Sequence, residues 1–343
     1  MKICAVSNVP YGYGSPQIRY LLRSLESTFN AQSILINPVY PSRPVQKDEN
    51  TLNIYTKSTP FSIKGLLEYL NRSVNFVNEI RPDFLILVNP MSLFVLNKLK
   101  FEPHKILYYG LEPLDYSAVP VKSLSKFAKK INYVIYPELN RLKKDITFFS
   151  NARSFIVYNS NNLHNLILKG NKKRSFIYSG TLDPSLVDLE ALEAIDKKSR
   201  LDVFGSQDEM KSNIPAINFK GVLSHEKLLE ELACSKFSIV AWKPVSEPFF
   251  NACPNKFFES LALGVPVVTY PYPQVSELIN RFGFGFLAKD FTTTSLIEAA
   301  QSALALNPSG YRILVQKARE AFEKHLSWDI QTSHLLTVLE REF

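Results

Sequence analysis

A basic and an acidic side chain stand three residues apart within residues 253–268. Pro254 suits the first turn of a helix and Gly264 the left-handed cap that ends one, so this run predicts a helix followed by a strand. Lys256 and Glu259 then share one helix face. A cation in the first turn opposes the helix dipole unless an anion lies there too. The spacing therefore fits two alternatives equally: a diphosphate at Lys256 with ribose hydroxyls at Glu259, or a plain surface ion pair.

These residues belong to an alternating pattern of short apolar runs and helical segments. The clearest helix of the first half is Ser62–Arg81, which ends before Pro82, and the same alternation restarts at Ser175. Two successive arrays of this kind predict an α/β protein with two open, mostly parallel, doubly wound sheets. Ligands of such sheets bind beyond the carboxyl ends of the strands, so we expect the principal site in a cleft between two domains.

Composition excludes several classes of protein. With 45% hydrophobic and 21% charged residues, the chain of 343 residues is not a disordered one, and it is long enough for two domains. The three cysteines, Cys4, Cys234 and Cys253, have no spacing typical of a metal site or a disulfide framework. The first apolar run is too short for a signal peptide, and residues 84–99 are too few to span a bilayer. We therefore expect a cytoplasmic protein without a membrane-spanning segment.

Charge is divided unequally along the chain. Up to Arg174 there are 24 Lys and Arg against 11 Asp and Glu, a net +13, and from Ser175 onward 16 against 21, a net −5. Such a difference suggests that the first half faces an anionic surface. The segment 122–130 can form a basic amphipathic helix with four lysines: Lys122, Lys126, Lys129 and Lys130.

Two interpretations of this basic segment are open. It can be a solvated surface helix, or it can dock the protein peripherally on the anionic inner face of the cell membrane. Binding to nucleic acid would need interleaved stacking aromatics or a known module, and the sequence has neither, so we expect no nucleic-acid partner.

The run Pro254–Val268 resembles the donor-site motif of GT-B glycosyltransferases of the family-4 kind, roughly Pro-x-Lys-x-x-Glu-x-Leu-Ala-x-Gly-x-Pro-Val-Val. Residues 178–181, 201–205, 218–224 and 283–286 are similar to the strands and turns of the same domain. The resemblance implies a GT-B fold with two Rossmann-like domains facing a central cleft. We expect an acceptor domain over residues 1–170, a donor domain over 171–325, and a C-terminal helix over 326–343 that packs back on the acceptor domain.

In that family the residue at the Lys position lies near the donor phosphates and the Glu binds the ribose, which implies these roles for Lys256 and Glu259. The implied donor site also includes the following residues: Gly14, Ser179, Gly180, Thr181, Glu247, Asn251 and Asn255.

The sequence departs from the family pattern at two places in the donor site. Relatives carry Arg and Lys-Gly after the glycine turn, where this chain has residues 181–188, so the diphosphate is expected to rely on Lys256 and on N–H groups of that turn. Retaining members carry a Glu where Asn251 stands. Glu247 is the alternative, and the stereochemistry of the reaction stays open.

Catalysis at an acceptor hydroxyl needs a base, and Glu112 and Asp115 follow the strand-like run 106–109. Solvated loop acids are the alternative interpretation of both. No Asp-x-Asp follows an apolar run, as a metal-dependent GT-A enzyme would require, so we expect metal-independent chemistry and no cofactor.

The resemblance implies transfer of a sugar from a nucleoside-diphosphate sugar, with UDP favoured, to a hydroxyl of a glycan or lipid-linked saccharide in cell-surface polysaccharide synthesis. Two alternatives are a GT-B nucleotide-sugar 2-epimerase, which needs no acceptor, and a non-catalytic glycan- or lipid-binding protein that keeps the GT-B shell. The missing Arg and Lys-Gly give the second alternative some weight.

Overall fold

A computed structural model describes residues 1–9, 15–39, 51–55, 62–116, 120–163, 172–206 and 217–343. The chain forms two compact units. Unit 1 comprises Met1–Tyr158 and Thr332–Phe343, and unit 2 comprises Asn159–Gln331. Among the described residues, no helix combines the length and the apolar character needed to cross a membrane.

The unit boundaries lie away from residues 170 and 325, where the sequence placed them. Residues shortly after Tyr158 already belong to unit 2, because the Ser160 hydroxyl donates to the Leu326 carbonyl and the Trp328 N–H donates to the Asn161 carbonyl at 3.0 Å. These bonds join the start of unit 2 to residues 326–328, where the last helix of the chain begins. The second boundary consequently falls inside that helix, after Gln331.

Unit 1 contains, within its described residues, a seven-stranded parallel sheet in the order β3-β2-β1-β4-β5-β6-β7. Its strands are β1 (Lys2–Ser7), β2 (Gln32–Val39), β3 (Thr51–Tyr55), β4 (Phe84–Val88), β5 (Lys105–Tyr109), β6 (Tyr133–Tyr136) and β7 (Arg153–Ile156). Its helices are α1 (Gln17–Phe29), α2 (Ile63–Ile80), α3 (Asn89–Ser92), α4 (Val121–Ala128) and α5 (Leu139–Asp145). Strand β4 is buried along its whole length, as expected of a central strand covered on both faces.

The helix predicted between Ser62 and Arg81 is confirmed as α2. The Ser62 hydroxyl accepts a hydrogen bond from the Gly65 N–H at 3.0 Å and so caps its start. Arg81 adopts a left-handed conformation with φ 47° immediately before Pro82, which ends the helix.

Unit 2 contains, where the structure describes it, a five-stranded parallel sheet in the order β12-β11-β10-β8-β9. Its strands are β8 (Arg174–Ser179), β9 (Leu201–Phe204), β10 (Ser235–Val240), β11 (Val267–Thr269) and β12 (Gly285–Leu287). Its helices are α6 (Leu189–Lys198), α7 (His225–Ala233), α8 (Glu247–Phe250), α9 (Asn255–Ala262), α10 (Pro273–Phe282), α11 (Thr293–Leu304) and α12 (Pro308–Ala321). The predicted pair of parallel α/β sheets is thus confirmed.

The last helix, α13 (Trp328–Glu342), begins in unit 2 and ends in unit 1. In unit 1, the Glu342 carboxylate accepts hydrogen bonds from the Tyr133 hydroxyl and from Lys105 and Arg153, the last two at 3.2 and 2.6 Å. Phe343 packs edge-on against Phe84 with ring centroids 5.3 Å apart. The end of the chain is therefore an integral part of unit 1.

Candidate functional site

The centre of the candidate site is the ammonium group of Lys256, on the first turn of α9. It donates a hydrogen bond to the carbonyl oxygen of Ser179, the last residue of β8. The same nitrogen lies 4.6 Å from the ring centroid of Tyr178 and 5.0 Å from that of Trp242. Because β8 ends there, Lys256 lies at the carboxyl edge of the unit 2 sheet, the edge at which such sheets bind ligands.

Gly180 allows this close approach of the ammonium. Its φ is +143°, and a Cβ added to it would lie 2.5 Å from Lys256 Nζ. The space is even smaller at Gly205 after β9, where an added Cβ would lie 1.8 Å from the Gly180 carbonyl oxygen. The two glycines therefore allow the turns after β8 and β9 to contact each other.

Gly180 belongs to the glycine turn whose N–H groups the sequence assigned to a diphosphate. Its N–H donates to the Phe204 carbonyl at 2.9 Å, and the Leu182 N–H donates to the Ser206 carbonyl at 2.9 Å. These donors join the two turns to each other, so they are not available to a ligand. The positive charge at this place comes from Lys256.

Burial lowers the pKa of Lys256 to about 8, against a smaller opposite effect of Glu259. An ammonium that loses hydration is destabilised, and an anion close to it would restore its charged form. An ammonium also has three N–H donors, and the Ser179 carbonyl engages one of them. Lys256 is therefore suited to an anionic ligand.

Glu259, on the next turn of α9, is bound to a histidine that the sequence did not single out. Its Oε1 lies 2.9 Å from Nε2 of His225, the first residue of α7. The Glu259 side chain is 16% exposed and that of His225 is 56% exposed. The hydrogen bond to Glu259 raises the pKa of His225, while burial opposes the shift. Lys256 and Glu259 thus have separate partners and do not form the surface ion pair considered from sequence.

The other predicted donor-site residues lie on neighbouring loops. Asn255 is the first residue of α9 and is half-buried, and Thr181 is exposed with its hydroxyl 3.4 Å from that of Ser206. Glu247 is exposed at the start of α8, and the Asn251 N–H donates to its carbonyl at 2.9 Å.

Contacts therefore join Ser179 and Gly180 to Lys256, whereas Glu259 has His225 as its partner. Gly14 lies outside the described residues.

In unit 1 the two predicted acids are each paired with a cation. Glu112 lies 3.1 Å from Arg141, and Asp115 lies 3.0 Å from Lys144. Their side chains are 45% and 51% exposed. Desolvation raises the pKa of Glu112, although Arg141 acts in the opposite direction.

All four lysines of the predicted docking segment, Lys122, Lys126, Lys129 and Lys130, are exposed. The apolar side of α4 is occupied, since Leu124 and Phe127 are buried in the core of unit 1. The Phe127 ring packs edge-on against that of Phe94, with centroids 5.6 Å apart. Helix α4 accordingly offers charge to the solvent and keeps its large apolar residues inside.

Among the described residues, no group of three or more His, Cys, Asp or Glu side chains is arranged to hold a metal ion. The candidate site has a different composition: the ammonium of Lys256, the carboxylate of Glu259 and the imidazole of His225.

No protein-family model matches the sequence, and no curated protein matches it. Solved structures match over nearly the whole chain. Sucrose-phosphate synthase from Thermosynechococcus elongatus is 15% identical with a TM-score of 0.70, covering 99% of this chain and 98% of that one. A glycosyltransferase from Rickettsia africae is 13% identical with a TM-score of 0.71, covering 99% and 98%.

HepE from Anabaena, solved in complex with UDP and glucose, is also 13% identical with a TM-score of 0.71, covering 99% and 100%. These neighbours have the GT-B fold, so the predicted fold is confirmed.

Proposed function

We propose that the protein is a glycosyltransferase that transfers a sugar from a nucleoside-diphosphate sugar, with UDP as the nucleotide, to a hydroxyl of a glycan or lipid-linked saccharide in cell-surface polysaccharide synthesis. The observation that carries the proposal is the Lys256 ammonium at the Gly180 turn, with the Glu259 carboxylate three residues further along α9. A diphosphate suits such an ammonium, and ribose hydroxyls suit such a carboxylate. The bound UDP of the Anabaena neighbour supports this assignment.

In the proposed reaction the acceptor oxygen forms a bond to the anomeric carbon, and the bond from that carbon to the diphosphate oxygen breaks. The electron pair of the broken bond leaves with the nucleoside diphosphate. Lys256 stabilises the charge that develops there, without a metal ion, because its ammonium is already in place.

The proton of the acceptor hydroxyl needs a base, and we keep Glu112 and Asp115 as the candidates. The raised pKa of Glu112 favours it, since a base with a pKa nearer neutrality accepts a proton more effectively. In this assignment, Arg141 and Lys144 orient the two carboxylates.

We further propose that unit 1 docks on anionic lipid through Lys122, Lys126, Lys129 and Lys130. Their exposure supports this, and the burial of Leu124 and Phe127 makes the attraction electrostatic. Because charges are screened within about 8–10 Å at physiological salt, binding to anionic vesicles should weaken as salt rises. Replacing all four lysines by Gln should reduce vesicle binding and leave nucleotide affinity intact. Failure of the wild-type protein to bind such vesicles at low salt would exclude the docking surface and favour a soluble acceptor.

The experiment that tests the function is incubation with a panel of UDP-sugars, with and without saccharide acceptors, followed by measurement of released UDP. We expect release by the wild-type protein, and little by Glu259→Ala. Glu298→Ala, which alters an exposed acid on α11, is the matched control and should be fully active. Isomerised donor sugar without release would indicate the epimerase, and absence of any nucleotide binding would indicate the non-catalytic protein.

A further inference from the structure

We propose that His225 is a positioning residue for Glu259: its Nε2 holds Oε1 of that carboxylate, so that Oε2 is presented to the ribose hydroxyls of the donor nucleotide. The inference rests on the proposed function and adds a residue to it. The contact that carries it is the 2.9 Å separation of His225 Nε2 and Glu259 Oε1.

The backbone of His225 is positioned by the helix that carries it. Ser224 caps α7 by accepting a hydrogen bond from the Lys227 N–H at 3.5 Å, which places His225 at the first helical position. Further along α7, Leu229 and Leu232 share a buried cluster with Leu263, which follows α9. The two helices are therefore packed side by side, and the histidine approaches Glu259 from the helix next to α9.

The two side chains of this contact differ in exposure. Glu259 is 16% exposed and His225 is 56% exposed, so the imidazole reaches the carboxylate from the solvent side. A glutamate has three rotatable side-chain bonds, and fixing them before a ligand arrives removes part of the entropy loss of binding. A hydrogen bond to one carboxylate oxygen also leaves the lone pairs of the other oxygen for a ligand.

The charged groups around His225 favour this pairing. Glu259 faces it from α9 and Glu226 lies beside it on α7; both raise the pKa of the imidazole, which burial opposes. Lys256 lies on the same helix as Glu259, with its ammonium directed to the Ser179 carbonyl. Because a carboxylate can only accept a hydrogen bond, the imidazole is the donor in this contact.

The test compares two nucleotides that differ only at the ribose. UDP and 2′,3′-dideoxy-UDP are titrated into the wild-type protein, His225→Ala and His225→Gln by calorimetry. We expect His225→Ala to lower the affinity for UDP about three- to tenfold, because binding must then order a Glu259 side chain that was free. Its affinity for dideoxy-UDP should not change. His225→Gln, which still has a donor, should recover part of the loss. Since His225 is more than half exposed, all three proteins should have similar melting temperatures.

Several results would overturn the inference. Unchanged UDP affinity in His225→Ala would show that the histidine does not act on the ribose contact. Equal weakening of both nucleotides would show a general structural effect. In either case the wild-type protein would still bind UDP, so the proposed function would survive. Absence of UDP binding by the wild-type protein would contradict the proposed function and this inference together.

Discussion

The carboxyl edges of the two sheets hold their cations in different ways. In unit 1, Arg141 Nε lies 2.7 Å from Glu138, and its NH1 lies 3.1 Å from Glu112. In unit 2, the Lys256 ammonium donates a hydrogen bond to an uncharged group, the Ser179 carbonyl. The same nitrogen lies near the rings of Tyr178 and Trp242. Two carboxylates form ion pairs with the first cation, whereas the second donates its hydrogen bond to an uncharged carbonyl, and Glu259 acts on it without that contact. The difference indicates that Arg141 organises its loop, whereas Lys256 is available to an anion.

The largest effect, on the free energy of unfolding, is expected from removal of the Arg141 charge in unit 1. Arg141→Met leaves Glu138, whose side chain is 1% exposed, without the guanidinium. Breaking a buried pair in this way typically costs about 3–5 kcal/mol, so we expect the free energy of unfolding to fall by that amount in urea titrations. Lys144→Met is the control: its pair with the half-exposed Asp115 should contribute less than about 1 kcal/mol. Equal losses of unfolding free energy in both variants would contradict the structural role assigned to Arg141.

The second effect is expected from removal of the Lys256 charge in unit 2. Lys256→Met keeps much of the contact with Tyr178 and Trp242 and removes the charge. A charge-assisted hydrogen bond contributes about 1.5–3 kcal/mol, so UDP affinity should fall about ten- to a hundredfold. Uridine, which has no phosphate, is the control ligand and should bind the variant as it binds the wild-type protein. Parallel loss of uridine affinity would place Lys256 away from the diphosphate.

A third, smaller effect concerns pH. The pKa of Lys256 is lowered to about 8, so the free protein loses this charge as pH rises through that value. A bound diphosphate stabilises the ammonium and raises its pKa, which means that affinity must decrease as pH increases above about 8. UDP titrations between pH 7 and 9 should show a several-fold decrease that Lys256→Met lacks. A flat profile in the wild-type protein would contradict the assignment.

The smallest effect on stability is expected at the exposed acids of unit 1. Glu112→Gln and Asp115→Asn change side chains that are 45% and 51% exposed, so unfolding free energies should change by less than about 1 kcal/mol. UDP affinity should not change, because the nucleotide site is assigned to unit 2. Turnover should fall steeply in the variant that lacks the base. Full turnover in both variants would exclude Glu112 and Asp115 as the catalytic base.

The sequence predicted helix ends that depend on neighbouring residues. It did not predict side-chain partners that are distant along the chain. Helix α9 follows from Pro254 and Gly264, which act within a few residues of themselves. The partner of Glu259 lies 34 residues away in sequence, and that of Lys256 lies 77 away, so no local pattern could identify them. A histidine directly after the cap of a helix at the same sheet edge was the one available signal for His225.

The same limit applies to the basic helix α4 and to the candidate acids. Amphipathic spacing predicted α4, but only the folded core shows that Leu124 and Phe127 are buried inside unit 1. The loop position of Glu112 was evident from sequence, whereas its pairing with Arg141 depends on how α5 packs against β6 and β7. Charge balance at a site is a property of the tertiary structure.

A calorimetric titration of UDP into the wild-type protein and into Glu259→Ala, at neutral pH, tests the nucleotide site directly. We expect saturable binding by the wild-type protein and an affinity reduced about tenfold or more in the variant, since charge-assisted bonds to the ribose are lost. Absence of binding by the wild-type protein, or equal affinity in the two proteins, would contradict the assignment of Lys256 and Glu259 to a nucleoside-diphosphate site.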